Sequence, residues 1–178
     1  MTKPRETTWN DIKAGLAQFD RSGLLGLLKD LHALCPENRN FLSARLGVGS
    51  DPLAPYKKTI SRWIYPDLMK GQDVSVSKAK KAIADYRKAM GRAEGMAELC
   101  IHYCEEAARL VGDCGIDDQA YYSALVRMFD DGLTQAIAVP SAERDKMLER
   151  LDAVRGSLHG LGWGVSDNVN EIWHDRVD

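Results

Sequence analysis

The chain has 178 residues, 44% of them hydrophobic, 28% charged and 7% aromatic, with 15 Gly and 6 Pro. This ordinary globular usage excludes intrinsic disorder, collagen-like repeats and a disulfide scaffold. Net charge is −2, and no uncharged apolar run approaches the ~18 residues that would cross a bilayer.

A first helix is predicted over 8–19. Asp20 caps a second, over 21–35, along which Leu24, Leu27, Leu28, Leu31, Leu34 and Cys35 recur at three and four residues. That is the period of a helix that buries one face. Pro36 suits the first turn of a third helix, which carries Phe41, Leu42 and Leu46 and stops at Gly47. A fourth starts at Asp51-Pro52 and ends near Tyr65, because Pro66 disfavours α geometry in the residue before it. Ser75 or Ser77 opens a fifth, running to Met90-Gly91. A sixth, over 93–111, has the cleanest stripe: Met96, Leu99, Cys100, Tyr103, Cys104, Ala107, Leu110 and Val111. Asp117 opens a seventh that reaches Val139-Pro140 through Tyr122, Leu125, Val126, Phe129, Leu133, Ala136 and Ile137. Only 73–77 alternates as a strand does, and it is too short to found a sheet. The expected fold class is all-α, a compact bundle of about eight amphipathic helices in antiparallel pairs.

Ser141 opens the eighth helix, over 141–161. Met147, Leu151, Val154, Leu158 and Leu161 form a narrow heptad seam there, flanked by Glu143, Arg144, Glu149, Arg150 and Arg155. Packing on a neighbouring helix of the same chain is the first expectation, and a homodimer through 141–161 is the alternative. Gly160, Gly162 and Gly164 then make a joint from which a tail with Val169, Ile172 and Trp173 folds back, with a short ninth helix over 167–175. The domain division is a helical core over 1–140, with the heptad helix and Trp-containing tail, 141–178, packed on it.

Candidate chemistry is sparse. Cys100 and Cys104 are one turn apart, as thiolate ligands can be, yet both lie on the apolar stripe, where reduced cysteine packs as a small hydrophobe. His102 lies on the opposite face among Glu98, Glu105 and Glu106, which reads as a solvated acidic face. The paired-helix Glu-x-x-His spacing of carboxylate metal sites is missing. Asp113, Asp117 and Asp118 cluster at the Gly115 turn and read as cap and first-turn residues. Asp130 and Asp131 fall mid-helix. No nucleophile–base order, phosphate loop or nucleotide fingerprint occurs. The expectation is therefore a protein that is not an enzyme, with no catalytic residue, metal or cofactor. The start at residues 1–6 has no apolar leader core, so the four cysteines are expected as reduced thiols in a cytoplasm.

Charge is strongly segregated. Residues 57–92 carry ten Lys/Arg against three Asp, whereas 93–178 carry seven against seventeen Asp/Glu. The partner-binding set read from the basic segment is Lys57, Lys58, Arg62, Trp63, Lys78, Lys81 and Lys88. The apolar side of the fifth helix is Ala79, Ala82, Ile83, Tyr86 and Met90, which leaves Lys78, Lys81 and Lys88 outward with Ile83 and Tyr86 buried. The expected function is binding another macromolecule, a protein first. The alternative is a nucleic-acid-binding protein using 57–92, against which the pI of about 6.1 weighs. Leu42–Val48 and Thr59–Trp63 mimic a helix-turn-helix, but ten residues with two prolines stand where that unit has a turn of about 3–4.

One broader pattern is present. Tyr56-Lys57-Lys58 with Pro66, then Val76-Ser77-Lys78-Ala79-Lys80-Lys81-Ala82-Ile83, then Tyr103, Glu105, Asp117, Tyr121-Tyr122 and Met128-Phe129 follow in order. This resembles a bacterial family of small all-helical proteins of unknown function, over roughly residues 10–138. The resemblance implies an all-α cytoplasmic bacterial protein and supplies no activity. Residues 140–178 fall outside it.

Overall fold

Chemistry at the helix ends sets where each element starts and stops. In the computed structural model, which describes residues 6–177, Thr8 and Asp11 form a reciprocal capping box at the start of α1 (Trp9–Leu16). The Asp20 carboxylate accepts the Gly23 N–H at 2.7 Å and caps α2 (Arg21–Leu34). Pro36 opens α3 (Pro36–Leu46), which ends at Gly47 in the left-handed conformation that a glycine adopts without steric cost. α4 (Ala54–Ile64) and α5 (Val76–Ala89) follow, joined through a 3-10 turn at Leu68–Lys70. Then come α6 (Ala93–Cys114), α7 (Gln119–Ile137), α8 (Ser141–Ser157) and α9 (Val165–Val177). Asp118, rather than Asp117, caps α7, accepting the N–H groups of Ala120 and Tyr121. The described residues are all-α, with nine helices and no strand; of the alternating 73–77, residues 73–75 are irregular chain ending at the Ser75 N-cap and Val76 and Ser77 begin α5. None of these helices is long and apolar enough to cross a membrane. Residues 1–5 and 178 lie outside the described part.

α6 is the axis of the molecule. It packs on α7, α4, α8 and α5, and its apolar stripe from Met96 to Val111 is almost wholly buried. Gly95 sits where α5 crosses: a Cβ there would run into the Tyr86 phenol, so only glycine permits this approach. Gly132, inside α7, packs beside Cys100 and Leu151 with room for ordinary contact. α8 lays Met147, Leu151, Val154 and Leu158 into the same core, so its heptad seam is covered by α6 and α7 of its own chain. The backbone then turns through Gly160, Trp163 and Gly164, all at positive φ, and α9 folds back on α7. Val165 and Val169 are buried there, and Trp173 meets Phe129 with ring centroids 6.5 Å apart.

The N-terminal helices differ. α3 packs on α5, and α2 packs on α3, but neither α1 nor α2 buries a single residue. The leucine stripe of α2, whose period matches that of a buried face, stands largely uncovered. Periodicity orients a face; it does not supply the element that covers it.

Candidate binding groove on α3, α4 and α5

Tyr56, Ile60 and Ile64 of α4 face the core, as do Ala79, Ala82, Ile83, Tyr86 and Ala89 of α5. The alanines let the two helices approach closely, and Tyr56 meets Tyr86 edge-on at 5.4 Å. The Ser75 N–H donates to the Trp63 carbonyl at 2.8 Å and ties the end of α4 to the start of α5. Arg45 of α3 donates to the Ala89 carbonyl at 3.2 Å and holds α3 alongside.

Between the three helices lies a groove of about 350 Å³. Its apolar surface comes from Tyr56, Trp63, Ala82 and Pro36, and its polar rim from Glu37, Asn40, Thr59, Lys78, Lys81 and Asp85. The Lys78 ammonium stands 3.8 Å from the centre of the Trp63 ring, and the Arg62 guanidinium 4.4 Å from it. Neither cation has a carboxylate partner among the described residues, and the Arg62 Nη1 is buried with no hydrogen-bond acceptor. Lys81 differs: it pairs with Asp85 one turn on, at 2.6 Å, and this hydrogen bond holds its ammonium above the ordinary lysine range.

The seven residues of the sequence-derived set therefore divide. Trp63, Lys78 and Lys81 line the groove, with Arg62 stacked on Trp63. Lys58 is exposed on the outer side of α4. Lys88 is exposed ten residues beyond Lys78, about 15 Å along α5. Lys57 turns the other way, half-buried, and donates to Glu98 of α6 at 2.6 Å. As the α5 stripe requires, Lys78, Lys81 and Lys88 are exposed while Ile83 and Tyr86 are buried.

The acidic face of α6 is not solvated. Arg150 of α8 donates to Glu98 at 2.6 Å and grips both oxygens of Glu105 at 2.7 and 2.8 Å, so Lys57–Glu98–Arg150–Glu105 runs across three helices. Burial pulls the Glu98 carboxyl up, but hydrogen bonds from Arg150 and Lys57 outweigh it and hold the group below the usual glutamate range. His102 lies beside this chain, its Nε2 bonded to the Ser61 hydroxyl at 2.8 Å, and burial pushes the imidazole below the ordinary histidine range. Cys100 and Cys104 are core residues. Burial drives the Cys100 thiol up to about 12 and Cys104 well above its normal value. No group of three or more His, Cys, Asp or Glu among the described residues converges as metal ligands do.

Sequence reasoning missed two features. Arg150 read as a flank of the heptad seam, although it joins the C-terminal helix to the α4–α6 seam. Glu37 and Asn40 enter the groove from α3, through packing between segments some forty residues apart. Asp85 was detectable, four residues after Lys81. No family model, curated protein or solved structure matches this chain.

Proposed function

We propose that the chain is a non-enzymatic interaction module whose groove between α3, α4 and α5 takes an acidic segment of a partner protein. One observation carries this reading: two cations, Lys78 and Arg62, stand over a single indole without a carboxylate of their own. A partner carboxylate entering the groove gains a charge-assisted hydrogen bond from the exposed Lys78 ammonium, with Arg62 stacked on the same indole, beside the apolar surface of Tyr56 and Ala82. The pI of about 6.1 weighs against a nucleic-acid partner, which ranks a protein first. Groups that elsewhere make and break bonds are engaged in packing here: the Cys100 and Cys104 thiols are protonated in the core, and His102 is tied to Ser61. Four free thiols, two of them buried, together with the family resemblance, support a bacterial cytoplasm as the working place.

The test is a fluorescence-anisotropy titration with a labelled Glu/Asp-rich peptide, set against single-stranded DNA and RNA of equal charge. The peptide should bind, and Lys78→Glu, at an exposed position, should weaken it at least about tenfold, or 1.4 kcal/mol, while moving the urea midpoint by less than the equivalent of about 1 kcal/mol. Nucleic-acid binding that falls steeply with salt, in place of peptide binding, would favour the alternative through 57–92. Binding of neither would overturn both.

A further inference from the structure

We infer that a second copy of this chain docks on the leucine stripe of α2, so that two α2–α3 hairpins pair about a two-fold axis into a four-helix bundle. The stripe itself is the first argument. Leu24, Leu27, Leu28, Leu31 and Leu34 are 38–75% exposed, and Leu24, Leu28, Leu31 and Cys35 follow the 4-3-4 spacing of a helix–helix seam. Among the described residues α3 is the element that packs substantially on α2, and it leaves Leu24, Leu28 and Leu31 about 40% exposed. Phe19 extends the surface, lying over Gly23 at the start of the helix while itself half exposed.

Area is the second argument. At roughly 150–250 Å² per aromatic and somewhat less per leucine, the uncovered apolar surface of α1–α3 is on the order of 800 Å². One side of a standard interface is about 800 Å². The surface has the size of half a dimer.

Charge chooses the occupant. Residues 6–48 carry five Lys/Arg and five Asp/Glu, so this arm neither repels its own copy nor attracts a strongly charged partner. A membrane-surface helix would have a Lys/Arg-rich polar face, whereas Lys29 on α2 is followed by Asp30. An isologous two-fold contact needs a patch complementary to itself, which a neutral leucine seam is. Leu28, at the middle of the seam, is placed to meet its own copy near the axis.

Sedimentation velocity of the full chain from about 1 to 100 μM tests this, a range that brackets micromolar association. The wild type should sediment as a dimer, and Leu28→Glu with Leu31→Glu as a monomer with unchanged helical circular dichroism. A cross-link covers the case in which that double variant misfolds. Leu28→Cys, in a background of Cys35→Ser and Cys114→Ser, should form a disulfide-linked dimer under mild oxidation, since Cys100 and Cys104 are buried. A wild type that stays monomeric throughout, a dimer that survives the two glutamates, or no cross-link through position 28 would each overturn the proposal.

Discussion

α6 and α2 carry the same kind of apolar period and meet opposite fates. α6 buries twelve residues against four neighbouring helices, whereas α2 buries none and leans chiefly on α3. Both helices are amphipathic, so the difference lies in what surrounds them. A stripe stabilises the fold only as far as other elements remove it from water. In the first case it is core; in the second it is surface kept for something outside the chain.

Truncations should split along this line, and here the largest effect is expected. Phe129→Ala, at a site fully closed by α6, α7 and Trp173, should lower unfolding free energy by about 3–5 kcal/mol through lost burial and the cavity left behind. Leu25→Ala on α2, at a side chain more than half exposed and off the seam, should cost less than about 0.5 kcal/mol. Urea unfolding at dilute concentration measures both. Equal costs would mean that the arm is covered in solution by its own chain.

The next test concerns the charges that join the C-terminal helix to the core. Arg150→Ala removes the bidentate grip on Glu105 and one of two cations on Glu98. Arg150 is about one-third exposed and Lys57 still pairs Glu98, so the cost should be about 1–2 kcal/mol rather than that of a fully buried pair. Glu98 is held below its ordinary value in the fold. Its contribution is therefore full above the unfolded glutamate pKa and is lost as pH falls through the folded one. Wild-type stability should drop on acidification below about pH 4.5, and the Arg150→Ala variant should drop less over that interval.

The residues explain why some of this was legible in the sequence. Helix limits followed from local chemistry: Asp20, Pro36 and Gly47 act within a few residues of themselves, and the matching helices start or stop there. The α5 stripe placed Ile83 and Tyr86 inside and three lysines outside because orientation on one helix is also local. What failed was pairing across distance. Lys57 and Lys58 are neighbours in sequence, yet only Lys57 points at α6, where Glu98 waits forty-one residues on. Arg150 was invisible for the same reason. The α2 stripe misled because a period records which side is apolar and holds no information about a second surface.

His102 sharpens the comparison from the core side. Burial depresses its pKa, so the unfolded chain binds a proton more readily than the folded one. Stability should therefore be full above the unfolded histidine pKa of about 6.5 and decline as pH falls toward the folded value. His102→Gln, which keeps a hydrogen-bonding partner for the Ser61 hydroxyl, should flatten that slope between about pH 7.5 and 5.5. An unchanged slope would locate the titration elsewhere.

The smallest effect on stability belongs to the basic groove, and its smallness is what makes it informative. Lys78→Glu, Lys81→Glu and Lys88→Glu together remove three exposed cations. The Lys78–Trp63 contact contributes about 0.5–1 kcal/mol at an exposed site, and the Lys81–Asp85 pair about 0.3–0.5 kcal/mol. Against these losses, a glutamate at position 78 lies in the first turn of α5, where a negative charge suits the helix dipole. Lys88 has no ion partner among the described residues, and a glutamate there costs a few tenths of a kcal/mol at the C-terminal end of α5. The changes nearly cancel, so the urea midpoint should move by less than the equivalent of about 1 kcal/mol while acidic-peptide binding is lost. If instead the triple variant lost more than about 2 kcal/mol, beyond the reach of exposed charges, these lysines would be part of what holds α3, α4 and α5 together. The groove would then belong with the core in the comparison, and not with the surfaces left open for a partner.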